Sequence, residues 1–235
     1  MQSAQLSHQI LPIGVPVPGW TTRPRPGVEP MIGRHVIVEP LDIERHSADL
    51  FEAFARDREH VMWTYFSYGP FLTLGAYQDW LRQTATADPY FHAIVDRASG
   101  KAIGSAAFMR MDPANGSIEV GHVAFSPALA RSTAATEAMA LMMARAFELG
   151  YRRYEWKCDS LNAKSFSAAL RLGFALEGVF RNSAVYRGRN RDTAWFSILD
   201  TEWPRIRAAL AVWLAPANFD ARGNQRARLS SLTRR

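Results

Sequence analysis

The chain has 235 residues, 48% of them hydrophobic and 21% charged, which suits one large or two small globular domains with a buried core. A single cysteine, Cys158, excludes an internal disulfide framework and makes the cytoplasm the default location. The net charge of +6 rests almost wholly on arginine, because lysine occurs only at 101, 157 and 164, and this spread argues against a nucleic acid partner.

Residues 1–30 are rich in proline and glycine and show little periodicity. They read as an extended arm that wraps over the domain or over a partner subunit, with Trp20 as its anchor, which leaves a homodimer open. The arm lacks a signal-peptide profile: its first basic residue is Arg23, and prolines at 12, 16 and 18 break the apolar stretch. No apolar run reaches the length needed to span a bilayer.

A strand is predicted over 34–40, then a helix over 44–57 with Leu50, Phe51, Phe54 and Ala55 on one face. An aromatic, glycine-containing stretch follows over 65–74, and a second helix over 76–86. Strands over 91–96 and 103–111 are separated by the turn signal Arg97-Ala98-Ser99-Gly100-Lys101. Asp112-Pro113-Ala114-Asn115-Gly116 marks another turn before a strand over 117–125. A long helix over 133–149 ends at Gly150, and a strand over 152–159 follows.

Next comes the most specific segment, Asn162-Ala163-Lys164-Ser165-Phe166-Ser167-Ala168-Ala169-Leu170-Arg171-Leu172-Gly173-Phe174. Asn162 is a helix N-cap, Phe166, Ala169 and Leu170 recur at helical spacing, and Gly173 stands where the helix stops. Two closing strands, over 175–186 and 193–200, flank Arg187-Gly188-Arg189-Asn190, and a last helix covers 202–214. The end of the chain carries Arg222, Arg226, Arg228, Arg234 and Arg235 and reads as a solvated or disordered end rather than a binding arm. Hairpins with intervening helices predict an α+β domain, its mixed, mostly antiparallel sheet flanked by helices.

This order of elements, with Asn162 to Ser165, Leu172-Gly173-Phe174, Glu177-Gly178, Arg181, Gly188, Asp192, Ser197-Ile198-Leu199 and Glu202-Trp203, resembles the GNAT superfamily of N-acetyltransferases. It is similar in particular to the branch that acetylates ribosomal-protein N-termini. The resemblance covers 31–205, leaving the arm (1–30) and the helix end with its basic tail (206–235) outside. It implies acetyl-CoA as cosubstrate, no metal, and direct attack by a primary amine, on a small molecule or a protein N-terminus, in a ternary complex. It implies that Val123, Ala124 and Phe125 lie beside the pantetheine arm. Arg131, Ser132, Thr133, Ala134, Ala135 and Thr136 would form the pyrophosphate loop, and Asn162 and Ser165 the adjoining wall. In that loop Thr133 replaces the family's first glycine, and Arg131 lies one place off its usual position. A non-catalytic CoA-binding or interaction module is the alternative.

Acyl transfer to an amine requires loss of a proton, because an ammonium is no nucleophile. Glu119 is the first candidate base, against the reading of a plain strand glutamate. His122 titrates in the right range, although simple alternation puts it on the face opposite Glu119. Tyr186 and Ser165 are candidates for protonating the leaving thiolate. Trp63, Tyr65, Phe66 and Tyr68, beside Gly69-Pro70, would line the acceptor site. The six histidines lack metal-ligand spacing, and Cys158 reads as a buried structural thiol.

Overall fold

The computed structural model describes residues 12–234, so residues 1–11 of the predicted arm and Arg235 of the tail lie outside the described residues. Strands β1 (Met31–Ile32), β2 (Val36–Pro40), β3 (Tyr90–Asp96), β4 (Ala102–Asp112), β5 (Ser117–Phe125), β6 (Arg153–Asp159), β7 (Ala175–Tyr186) and β8 (Arg189–Leu199) form one sheet in the order β1-β2-β3-β4-β5-β6-β8-β7. All neighbouring pairs are antiparallel except β5 with β6. Helices α1 (Ile43–Ala55), α2 (Leu74–Thr84), α3 (Thr133–Glu148), α4 (Ala163–Leu172), α5 (Trp203–Leu214) and α6 (Leu229–Thr233) complete the α+β domain that the sequence pattern predicts.

Strand alternation divides the apolar residues between two cores. Ile118 and Val120 of β5, Tyr154 and Trp156 of β6, and Phe196 and Ile198 of β8 meet Met139, Met142 and Met143 of α3 and Ile206 of α5. On the other face, Ala93 and Val95 of β3 and Ala124 of β5 meet Leu50 and Phe54 of α1 and Tyr77 and Leu81 of α2. Burying a Leu or Phe side chain contributes roughly 1.5–3 kcal/mol, so the period-2 and period-3.6 patterns fix which face each element turns inward. Polar groups finish the job where the first core meets the sheet edge. Buried Glu137 of α3 accepts the backbone N–H groups of Arg34, His35 and Val36 at 2.7, 2.6 and 3.0 Å, which pins the start of β2 to the helix.

The described part of the arm wraps over its own domain. Trp20 Nε1 donates to the carbonyl of Ala114 at 2.8 Å, and the Arg23 guanidinium stacks 4.2 Å from the Trp20 ring. Farther on, the Tyr90 hydroxyl donates to Gly27 O at 3.3 Å, and Arg145 donates to Glu29 O at 3.4 Å.

The tail is a correction. Arg222, Arg226, Arg228 and Arg234 are exposed, as expected of a solvated end, but the segment between them folds back: Leu229 of α6 is fully buried in the first core, and the Thr233 hydroxyl donates to Arg171 O on α4 at 3.0 Å. Asn218 organises the return, donating to Trp213 O and accepting the Ala227 N–H. Its arginines hid a single deeply set leucine. The closing hairpin is also tighter than predicted, because β8 starts at Arg189 rather than 193. Arg187 and Gly188 alone make the turn, both at positive φ (49° and 69°), as the twist of a two-residue hairpin demands.

Candidate active site

β5 and β6 pair from Ser117↔Arg153 to Val120↔Trp156 and then part, although β5 continues to Phe125 and β6 to Asp159. Beyond Val120 the two strands leave backbone N–H and C=O groups of a central sheet without partners in the ladder, a place for a ligand that carries amides of its own. The cause lies in β5. Its register against β4 shifts between Ser105 and Ala107, and His122 takes a left-handed φ of 49°. Such a bulge inserts one residue and bends the strand. Beside it, a Cβ on Gly121 would lie 2.3 Å from Met109 Sδ, so any larger residue there would have to displace that side chain.

One wall of this splay is built from two helix starts. Ser132 caps α3, its hydroxyl accepting the Ala135 N–H at 3.0 Å and donating to Leu129 O at 2.6 Å. Leu129 is fully buried and plugs the loop into the sheet, and exposed Arg131 sits at a φ of 61°. The Thr133 and Ala134 N–H groups open the helix, where the dipole favours anions. Asn162 caps α4 by accepting the Ser165 N–H at 3.1 Å, and Gly173 ends it at a φ of 99°. The Ser165 hydroxyl accepts Trp156 Nε1–H at 3.0 Å. Burial pushes the neighbouring Cys158 thiol up, and its hydrogen bond to Ser165 partly offsets this.

The candidate cofactor residues lie where β5 and β6 lead into helices: Val123 to Phe125 end β5, Arg131 to Thr136 lead into α3, and Asn162 and Ser165 stand at the start of α4. Thr136 is buried and its hydroxyl accepts from Arg171 at 3.0 Å, so it ties α3 to α4. Ala124 turns toward the second core, while Val123 and Phe125 pack toward α3.

The opposite wall comes from distant segments. The bulge places His122 on the same face as Glu119, correcting the simple alternation. His122 Nδ1 lies 2.9 Å from the Tyr68 hydroxyl, and its ring packs 5.5 Å from Tyr68 and 4.9 Å from Phe91. Burial, then the nearby Arg110 charge, pushes His122 down to about 4, so the ring is neutral at pH 7. Tyr68 also stacks on Trp80 at 4.2 Å, and Trp63, Phe66 and Phe71 complete an aromatic cluster. Its loop is tied down twice. Tyr65 donates to Leu161 O at 2.9 Å, reaching the loop that leads into α4, and Arg187 of the hairpin donates to Tyr68 O at 2.9 Å.

Glu119 is 3% exposed, with Arg110 Nη1 and Lys157 Nζ each 2.7 Å from one of its oxygens. Lys157 also meets Glu155 at 2.9 Å and lies 3.6 Å above the Trp195 ring. Tyr186 donates to buried Asp159 at 2.8 Å, and burial followed by that hydrogen bond pushes its phenol up to about 12. Sequence reasoning missed Lys157, Asp159, Arg110 and Arg187. Alternation in β6 offered a signal for Lys157, which falls on the face opposite Tyr154 and Trp156. Among the described residues no group of three or more His, Cys, Asp or Glu could hold a metal, and no helix is long and apolar enough to cross a membrane.

The family description "acetyltransferase (GNAT) domain" matches residues 35–175. A GCN5-related N-acetyltransferase from Brucella melitensis is 45% identical, with a TM-score of 0.90, and the match covers 92% of this chain and 99% of that one. A probable acetyltransferase of the GNAT family from Chromobacterium violaceum is 43% identical, with a TM-score of 0.78 over 83% of this chain and 98% of its own. The microcin C7 self-immunity acetyltransferase MccE, solved in complex with acetyl-CoA and AMP, shares the fold at 18% identity. Its TM-score is 0.62, over 71% of this chain and 93% of that one. No curated protein matches the chain.

Proposed function

The chain belongs to the GNAT family of acetyltransferases, and on that premise we propose that it moves acetyl from acetyl-CoA directly to a primary amine in a ternary complex. The observation that carries this reading is the splay after Val120 and Trp156, flanked by the capped starts of α3 and α4. Thr133, Ala134 and exposed Arg131 suit a double phosphate, through converging N–H groups and a guanidinium. The free edges of β5 and β6 suit the pantetheine amides.

The amine reaches the splay from the aromatic side. Its proton goes to water: the nitrogen forms a bond to the acyl carbon, the C–S bond breaks, and the thiolate leaves with the electron pair. Both Glu119 oxygens are engaged, one by Arg110 and the other by Lys157. We assign Glu119 to holding β5, β4 and β6 together below the splay. Tyr186 keeps its proton at neutral pH but directs it at Asp159, so its role is to fasten the hairpin to the end of β6. A small-molecule amine and a protein N-terminus both fit the aromatic approach. The buried, unpaired Cys158 supports a cytoplasmic setting.

The test is titration calorimetry with acetyl-CoA, followed by thiol release in the presence of small amines and N-terminal peptides. Binding together with amine-dependent thiol release is expected. Binding without turnover on any amine would favour a CoA-binding module instead.

A further inference from the structure

His122 has two ring nitrogens, and the hydrogen-bond accounting around it assigns its single proton. The Tyr68 hydroxyl carries one hydrogen, and its one hydrogen-bond partner among the described residues is His122 Nδ1, at 2.9 Å. A donor in this aromatic cluster that finds no acceptor costs about 1–3 kcal/mol. The phenol therefore donates, Nδ1 accepts, and the proton of the neutral ring sits on Nε2. Burial holds Tyr68 well above the ordinary phenol range, so it remains a donor, and Arg110 is the charge that bears on His122. Nε2 has no protein partner among the described residues and is not fully buried, so it is accessible to a ligand.

The rest of the surroundings make this arrangement rigid. The bulge fixes the His122 backbone, Phe91 and Tyr68 fix its ring, and Trp80 backs Tyr68 at 4.2 Å. Arg187 holds the Tyr68 carbonyl from the far hairpin. Hydrogen-bond donors held in place before reaction stabilise developing charge without reorganisation cost.

The geometry points to His122 as a fixed Nε2–H donor to the substrate carbonyl oxygen in the splay, with Tyr68 as the positioning residue that sets its tautomer. The donor role rests on the acetyl-transfer reading; the tautomer does not. No proton leaves His122 in this step. The carbonyl oxygen gains negative charge as the amine adds, the N–H stabilises it, and the hydrogen bond weakens again as the thiolate departs. A neutral imidazole serves here where a general base would need a free Nε2 lone pair.

Two measurements decide the assignment. Long-range nitrogen–proton NMR of the His122 ring in the unliganded protein at pH 7 is expected to show Nε2 protonated and Nδ1 bare. Tyr68→Phe, which keeps the stacking and drops the hydroxyl, is expected to turn that pattern into a tautomer mixture. A ring protonated on Nδ1, or an unchanged pattern in Tyr68→Phe, overturns the assignment whether or not an acceptor amine has been found. With an acceptor in hand, His122→Ala is expected to lose about 100-fold in kcat/KM, the scale of one lost oxyanion donor. His122→Gln retains an N–H and is expected to keep most of the activity. Equal loss in both variants marks a base and overturns the donor role.

Discussion

The two walls of the splay are built in opposite ways. The α3–α4 wall comes from consecutive chain: β5, its loop, α3, β6 and α4 follow one another from Ser117 to Leu172, and two capped helix starts supply most of its chemistry. The opposite wall, where we propose the amine enters, gathers Tyr65 and Tyr68, Arg110, His122, Lys157 and Asp159, and Tyr186 and Arg187, and holds them by long-range hydrogen bonds and ion pairs. The first wall presents backbone N–H groups at two capped helix starts. The second depends on individual side chains, each committed to a partner. The difference teaches where sensitivity should lie: affinity for the acyl donor in the first wall, stability and turnover in the second.

The largest expected effect strikes the second wall. Lys157→Met leaves buried Glu119 and half-buried Glu155 without the cation they share, and should destabilise the fold by about 3–5 kcal/mol in urea titrations. A loss under about 1 kcal/mol would mean that Arg110 and Arg153 carry those carboxylates alone.

Acid should act next on two histidines. His92 and His122 both sit near 4 when folded, chiefly through burial, against an unfolded value of about 6.5. The unfolded chain binds more protons in that window, so stability falls as pH drops from about 6.5 toward 4. The loss should reach roughly 2 kcal/mol per histidine by pH 5. Thermal melts of His122→Gln should show the smaller pH dependence left by His92 and the acidic side chains.

Thr133→Asp separates folding from ligand affinity in the α3–α4 wall. A carboxylate at the start of α3 favours the helix dipole yet repels a pyrophosphate. Calorimetry should show acetyl-CoA binding weakened about 10- to 100-fold by such a charge, with a melting temperature unchanged or slightly higher. The smallest effect is Ser132→Ala. Losing the cap should cost about 1 kcal/mol of stability and little turnover.

Legibility in the sequence follows the same division. Asn162 and Gly173 act where local rules put them, because capping involves residues three or four positions apart. The α+β class and the helical faces of α1 and α3 were equally readable, since periodicity is a local signal. His122 was not. Its face depends on a bulge that the residues 117–125 do not announce, and its partner Tyr68 lies 54 positions away. Nothing near Glu119 in the sequence reveals its ion pair with Lys157, and the arginines of the tail conceal the buried Leu229. Long-range pairing is the information that a single sequence withholds.

Direct transfer across these two walls is tested most plainly by initial rates of thiol release, with acetyl-CoA and the amine both varied. Intersecting reciprocal plots are expected, as a ternary complex requires, with no acetyl group on the protein by mass spectrometry. Parallel plots, with acetyl found on Cys158 or another side chain, would contradict direct transfer.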